Sequence, residues 1–365
     1  MGFNCGIVGL PNVGKSTIFN ALTKGKAQAA NYPFCTIDPN VGIVPVGDPR
    51  LRQINAILPA EKVIMTTVEI VDIAGLVKGA SSGEGLGNQF LSHIAEVDAV
   101  LEVVRVFEDE NVTHVTGSVD PARDVEIIRT ELMLKDLESL TKARERLSRA
   151  AKSGDKKAKE EFDAATRASA VLDQGKTIRQ GGLSEEEKAI LRAYNLLTAK
   201  PVLYVANVSE EELAGADSPA LVTLRKIAAE DRSSVVKISG KIEEEISQLD
   251  ENEKGEYLRS VGLEESGLDR LVREGYRLLD LITFFTSGPK ENRAWTVRRG
   301  AKAPEAAGKI HSDFERGFIR AEVIAFGDFV ACKGEAGART AGKLRVEGKD
   351  YVVQDGDLMH FRFSI

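Results

Sequence analysis

The first two thirds of the chain carry short, nearly unbroken apolar runs at 3–8, 63–71, 202–207 and 235–238. Runs without polar alternation predict strands covered on both faces, as in a mostly parallel sheet. After the first run the period changes, and 17–22 reads as a helix stopped by Gly25. Residues 121–200 are rich in Glu, Lys, Arg, Ala and Leu, with Leu137, Leu140, Leu147 and Ala151 on a heptad seam. Ser153-Gly154-Asp155 interrupts that seam, and Phe162, Ala165, Val171 and Leu172 resume it on a returning helix. Ser184 and Glu187 have capping-box spacing for a third helix running through Leu197. This predicts an antiparallel helical hairpin, a coiled-coil arm inserted between two strands. From about 281 onward the pattern predicts short strands at 283–285, 294–297, 321–324, 343–346 and 351–353, with a helix over 309–316.

Length and composition sharpen this picture. A chain of 365 residues is expected to hold two or three domains. We place a nucleotide domain at 1–280, the inserted arm at 121–200 and a carboxyl-terminal domain at 281–365. The net charge of −7 argues against a general nucleic-acid coat, while leaving room for a local basic patch. Around the hairpin turn, Lys142, Arg144, Arg146, Arg149, Lys152, Lys156, Lys157 and Lys159 are opposed only by Glu145 and Asp155, which points to a polyanion partner such as ribosomal RNA. Solvated helix faces carry similar runs. Cys5, Cys35 and Cys332 form no CxxC pair and are expected to be reduced thiols. No run of about 18 uncharged apolar residues is present, and the expectation is a cytoplasmic protein with no membrane partner.

The chemistry begins at Gly9-Leu10-Pro11-Asn12-Val13-Gly14-Lys15-Ser16-Thr17. A strand before it and a helix after it are the context of a phosphate-binding P-loop. The glycines let successive N–H groups turn toward phosphate oxygens, Lys15 adds charge, and the Ser16 hydroxyl is placed for Mg²⁺. Asp72-Ile73-Ala74-Gly75 follows a second strand, where Asp72 can hold Mg²⁺ through water and the Gly75 N–H can sense a γ-phosphate. Between these lies Thr36, a second metal ligand when that phosphate is present.

A base-reading segment is expected at Asn207-Val208-Ser209-Glu210, with Ser239-Gly240 as the last loop around the base. Guanine-specific switches carry Asn-Lys-x-Asp there, and Val208 and Glu210 both weaken that clamp. An Asn amide can donate to N7 and accept from N6 of adenine. Guanine would leave its carbonyl oxygen unpaired at about 1–3 kcal/mol, which favours ATP over GTP. A strand-end Asn that merely caps a turn is the competing account. Gly83, Gly85 and Gly87 lack the leading strand of a dinucleotide site.

These motifs, with Asn31-Tyr32-Pro33-Phe34-Cys35-Thr36 and Ile73-Ala74-Gly75-Leu76-Val77-Lys78-Gly79-Ala80, resemble the YchF family of Obg-like ATPases. The stretch Ile310-His311-Ser312-Asp313-Phe314-Glu315-Arg316-Gly317-Phe318-Ile319-Arg320-Ala321-Glu322-Val323 resembles that family's TGS domain. The resemblance implies an α/β P-loop domain, a helical arm and a β-grasp module, in a monomer that binds the ribosomal large subunit. It also implies a hydrophobic residue, here Leu76, where many switches place a water-orienting Gln. Hydrolysis is then slow, with His114 the internal candidate for polarising water. Asn12 by resemblance marks proteins that use K⁺. In the carboxyl-terminal domain Arg293, Arg298, Arg299, Arg316 and Arg320 are candidate RNA contacts. The rival readings are an Obg-type GTPase and a ribosome-docking regulator with negligible turnover.

Overall fold

Apart from residues 62–64, the apolar runs of the amino-terminal two thirds become strands of one sheet. The computed structural model describes residues 3–24, 40–73, 86–108 and 118–364. In chain order its strands are β1 (Phe3–Val8), β2 (Val41–Val46), β3 (Lys62–Ile64), β4 (Thr66–Asp72), β5 (Ala99–Arg105), β6 (Val202–Asn207) and β7 (Ser234–Ile238). They continue as β8 (Leu281–Thr286), β9 (Glu291–Arg298), β10 (Phe318–Ala325), β11 (Arg345–Glu347) and β12 (Asp357–Phe363).

The first sheet has the order β2-β4-β1-β5-β6-β7, and β1, β5, β6 and β7 run parallel. Every residue of β5 and β6 is buried, as unalternating runs require. The register pairs Arg105 with Asn207 and Asn207 with Ile238, so the carboxyl ends of β5, β6 and β7 finish level. Ligands of open α/β sheets bind beyond that edge.

The arm forms as predicted. Helix Pro121–Lys152 starts at Asp120, whose side chain accepts from the Ala122 and Arg123 N–H groups. Gly154 turns the chain at φ +94°, and Asp155 caps the returning helix Lys156–Asp173. Leu140, Leu147, Ala165, Val171 and Leu172 are buried along the seam, while Leu137 and Phe162 are partly so. The third helix has its capping box but ends at Leu191, short of Leu197, because the chain tightens into 3₁₀ turns at 192–194 and 197–199.

The second sheet, β11-β10-β12-β8-β9-β3, is buried on both faces. Phe284, Val297, Val323 and Met359 face helices Ala303–Ile310 and Ser312–Arg316. Phe285, Ala294, Ile324 and Leu358 face the opposite way, with Phe329 and Ala338. Three expectations are corrected here. The helix over 309–316 is two helices broken at His311, whose extended backbone caps the second. Residues 351–353 form only one isolated bridge, Lys302 with Val352, while the strand that completes the sheet is β12. The run 63–71 divides at Met65, and its first part, β3, pairs parallel with β9.

That division changes the domain boundary. One compact unit comprises Phe3–Ile43 and Glu69–Gly275, and the other joins Val44–Val68 to Tyr276–Ile365. Helix Pro49–Ile57 therefore belongs with the carboxyl-terminal sheet, where Leu51 and Ile54 fill its second core. Arg50 reaches Asp355 at 2.9 Å, and buried Asn292 donates to Asn55 Oδ1 at 3.0 Å and to the Leu58 carbonyl at 2.7 Å.

Candidate nucleotide site

The loop after β1 is shaped by its neighbours. A Cβ on Gly9 would lie 2.5 Å from the Val103 carbonyl oxygen, and at Gly14, with φ +97°, a Cβ would run into the Asn207 amide. From Gly14 the chain enters helix Lys15–Lys24, opened by the Ile18 N–H donating to the Gly14 carbonyl at 3.1 Å. Ser16 is exposed, Thr17 half-buried and Val13 buried, and Asn12 sits at φ +62°. Lys15 is 8% exposed and its ammonium donates to the Leu10 carbonyl at 2.7 Å.

Burial lowers the Lys15 pKa to about 8, against the opposing pull of Asp72 at the end of β4. Burial likewise raises the Asp72 carboxyl above its ordinary value, with Lys15 pulling it back. Where a polyphosphate meets Lys15 it would favour the charged lysine, so nucleotide binding above about pH 8 is expected to take up a proton. The free lysine is charged below that pH, hence affinity is flat there and falls as pH rises toward the ordinary lysine value. Calorimetry near about pH 9 in buffers of different ionisation enthalpy should show uptake of a large part of one proton. Zero uptake would place the lysine elsewhere.

Asn207 is the centre of the far side. It is 6% exposed, its Nδ2 donates to the Val13 carbonyl at 2.9 Å, and its Oδ1 accepts from the Gly240 N–H at 3.1 Å. These partners fix the amide's orientation, since the reverse would face oxygen with oxygen. Asn207 thus ties the P-loop to the loop after β7. One N–H remains for a base N7, while the oxygen expected to read adenine N6 is already engaged by Gly240. A Cβ added at Gly240 would lie 3.4 Å from the Thr17 methyl, and Ser239 is 2% exposed. Val208 is buried, its N–H bonded to the Ile238 carbonyl at 2.8 Å. Glu210 is held by Lys241 at 2.5 Å.

The structure therefore brings Val13, Gly14, Lys15, Asp72, Asn207, Ser239 and Gly240 to one edge of the first sheet. Thr36, Gly75, Leu76, His114 and Cys35 lie outside the described residues, as do Gly83 and Gly85. Arg105, in register with Asn207 and 2% exposed, was not anticipated; its Nε donates to the Phe107 carbonyl at 3.0 Å and its guanidinium lies over the Phe107 ring. The signal available was a lone cation ending an apolar strand. At the arm's turn, Lys142 pairs with Glu138, and Arg144 lies over Phe162. Arg149, Lys152, Lys156, Lys157 and Lys159 are exposed and have no carboxylate partner among the described residues. In the other unit Arg299 pairs with Asp280 and Arg293 stacks on Trp295, whereas Arg316 and Arg320 stay exposed. No helix of the described residues is long and apolar enough to cross a membrane.

Comparison with known proteins places the chain in a family. Residues 4–138 match the family MMR_HSR1, "50S ribosome-binding GTPase", and residues 281–364 match YchF-GTPase_C, "Protein of unknown function (DUF933)". The "Ribosome-binding ATPase YchF" of Haemophilus influenzae is 55% identical over 365 residues, covering 100% of both chains. Its namesake in Bacillus subtilis is 52% identical over 366 residues with the same coverage. The solved structure of the Schizosaccharomyces pombe YchF GTPase aligns with a TM-score of 0.90 at 40% identity, covering 99% of this chain and 98% of that one. With more than half of the positions identical along full-length relatives and the same fold throughout, the chain belongs to the YchF family.

Proposed function

We propose that this chain is an ATP-preferring P-loop ATPase that converts ATP to ADP and phosphate with Mg²⁺ and docks on the ribosome. One arrangement carries the reading: the phosphate loop, Lys15, Asp72 and Asn207 meet at the carboxyl edge of one sheet, in a chain whose relatives are called ribosome-binding ATPases. Ser16 and Thr36 would hold Mg²⁺, with Asp72 acting through water. The ion would supply charge to the β- and γ-phosphate oxygens. The described part of the donor set fits, because the Ser16 hydroxyl is exposed with no bond among the described residues and Asp72 is a carboxylate whose burial raises it above its ordinary value.

The preference for adenine rests on Glu210 more than on Asn207. A guanine base needs a free carboxylate for its N1 and N2 donors, and the Glu210 carboxylate is engaged by Lys241. Leu76 keeps hydrolysis slow, His114 polarises the attacking water, and Asn12 recruits K⁺. The five unpaired cations at the arm's turn engage rRNA of the large subunit, with Arg316 and Arg320 as a second contact. The protein works as a cytoplasmic monomer.

Affinities of nucleotide-free protein for ATP and GTP, each with Mg²⁺, test the base assignment. An ATP preference of about tenfold or more is expected when the guanine N1 and N2 donors find no free carboxylate at Glu210. Equal affinity, or a preference for GTP, would return the chain to the GTPase reading, which the description of the Schizosaccharomyces pombe relative favours. The same preparation assayed for turnover in K⁺ and Na⁺, and as His114→Ala, tests the two catalytic assignments; unchanged rates remove them.

A further inference from the structure

A second polar cluster, distinct from the nucleotide site, lies at the root of the arm. Asp136, on helix Pro121–Lys152 and 1% exposed, accepts from the Leu197 N–H at 2.7 Å, the Thr198 N–H at 2.8 Å and the Thr198 hydroxyl at 2.6 Å. Separating helix from segment would leave a buried carboxylate unpaired, so the two move together. Arg179 adds bonds to the Thr198 carbonyl at 3.0 Å and the Lys200 carbonyl at 2.8 Å.

Both ends of the 195–200 segment hold helix Leu86–Glu96. Lys200 Nζ donates to the Ala95 carbonyl at 2.9 Å and the Val97 carbonyl at 2.6 Å, and Asn195 Nδ2 donates to the Ala95 carbonyl at 2.6 Å. These are carbonyls that a helix end leaves without intrahelical partners, and a cation there also meets the negative end of the helix dipole. Val97 in turn borders Gly6 of β1, as does Ile73. At Gly6 of β1 there is no space for a side chain, because a Cβ would lie 2.5 Å from Ile73 Cδ1 and 3.1 Å from Val97 Cγ2. Ile73, fully buried, is the residue after Asp72.

We propose that Lys200 and Asn195 are positioning residues that couple the helical arm to the nucleotide site, through Val97 and Ile73 to Asp72. A shift of the long helix drags the 195–200 segment by Asp136, and Lys200 passes it to the end of helix Leu86–Glu96. Coupling of this kind is reciprocal: nucleotide biases the arm as much as a ligand on the arm biases nucleotide. The inference rests on the reading that the chain binds ATP and docks through its arm.

Hydrogen exchange on the full-length protein, without nucleotide and saturated with Mg²⁺ and the non-hydrolysable analogue AMPPNP, tests the coupling without any ribosome. In the wild type, nucleotide should change exchange across 195–200 and around Asp136 by on the order of fivefold or more. Lys200→Met should abolish that response while AMPPNP affinity stays within about threefold, and Lys200→Arg should retain it. Asn195→Ala, at an exposed position, should weaken the response if Lys200→Met fails to fold. With ribosomes present, the AMPPNP affinity ratio (bound against free) should approach unity in Lys200→Met alone. A wild type that binds AMPPNP without any response at 195–200 overturns the coupling, as does a Lys200→Met response equal to wild type. Failure of the wild type to bind AMPPNP sinks the nucleotide reading itself and takes the coupling with it. Failure to bind ribosomes removes the docking reading and leaves the exchange result to decide.

Discussion

Gly14→Ala should abolish nucleotide binding, with affinity falling by at least about 100-fold. The added Cβ would lie 2.3 Å from Asn207 Nδ2, at a backbone φ of +97° that side chains rarely adopt. Backbone strain alone costs about 1–3 kcal/mol. Moving Asn207 aside breaks its bonds to Val13 and Gly240, and each buried group left unpaired costs about 1–3 kcal/mol more. The loop has two escapes: it can stay in place and destabilise the protein, or swing away and lose its inward-facing N–H groups. Either way the phosphate cradle is gone. Gly255→Ala is the control, since a Cβ there meets nothing within 4 Å inside helix Glu251–Ser260. It should stabilise the protein by about 0.5–1 kcal/mol. Fluorescent-nucleotide titration beside thermal melting reads both variants. Binding by Gly14→Ala within about threefold of wild type would mean that Asn207 does not clamp this loop in solution.

The phosphate loop was legible because its chemistry is local. Strand, glycines, Lys15 and helix fall within 22 residues, 3–24, and each constrains the next. The position of Asn207 was legible for the same reason, as the polar end of an apolar run. Its partners were not, because Val13 lies 194 positions away and Gly240 beyond another strand. β12 escaped notice because Leu358 and Met359 enter opposite cores, which erases the alternation that marks a half-buried strand. Tyr351-Val352-Val353 looked more strand-like by β-branching, yet only Val353 is buried in a core. His311 hid the break between two helices because nothing in its residue type stops a helix. Above all, 44–68 looks like an ordinary strand–helix–strand excursion. That it belongs to the carboxyl-terminal unit depends on pairings such as Asn55 with Asn292, 237 positions apart.

That last placement predicts that the carboxyl-terminal unit cannot be cut away cleanly. A chain ending at 275 should lose its single cooperative unfolding transition, or melt far below the intact protein, although its P-loop is complete. Leu51 and Ile54, 2% and 0% exposed, lose the core formed with Phe285, Ile324, Phe329 and Leu358. Two such side chains represent about 3–6 kcal/mol of burial. Beyond that, the β3–β9 ladder, the Arg50–Asp355 pair and the bonds from Asn292 to Asn55 and Leu58 disappear. The sum rivals the whole stability of a typical domain, about 5–15 kcal/mol. The damage reaches nucleotide chemistry through the chain itself, since β4 begins in this segment at Thr66 and ends at Asp72. A milder variant separates this from nonspecific aggregation of a truncated chain. Ile54→Ala in the full-length protein should cost about 2–5 kcal/mol and remain measurable by reversible denaturant unfolding. A truncated protein that melts cooperatively and binds nucleotide like the intact one would show that 44–68 folds without the carboxyl-terminal sheet, and that the boundary near 280 read from the sequence was sufficient.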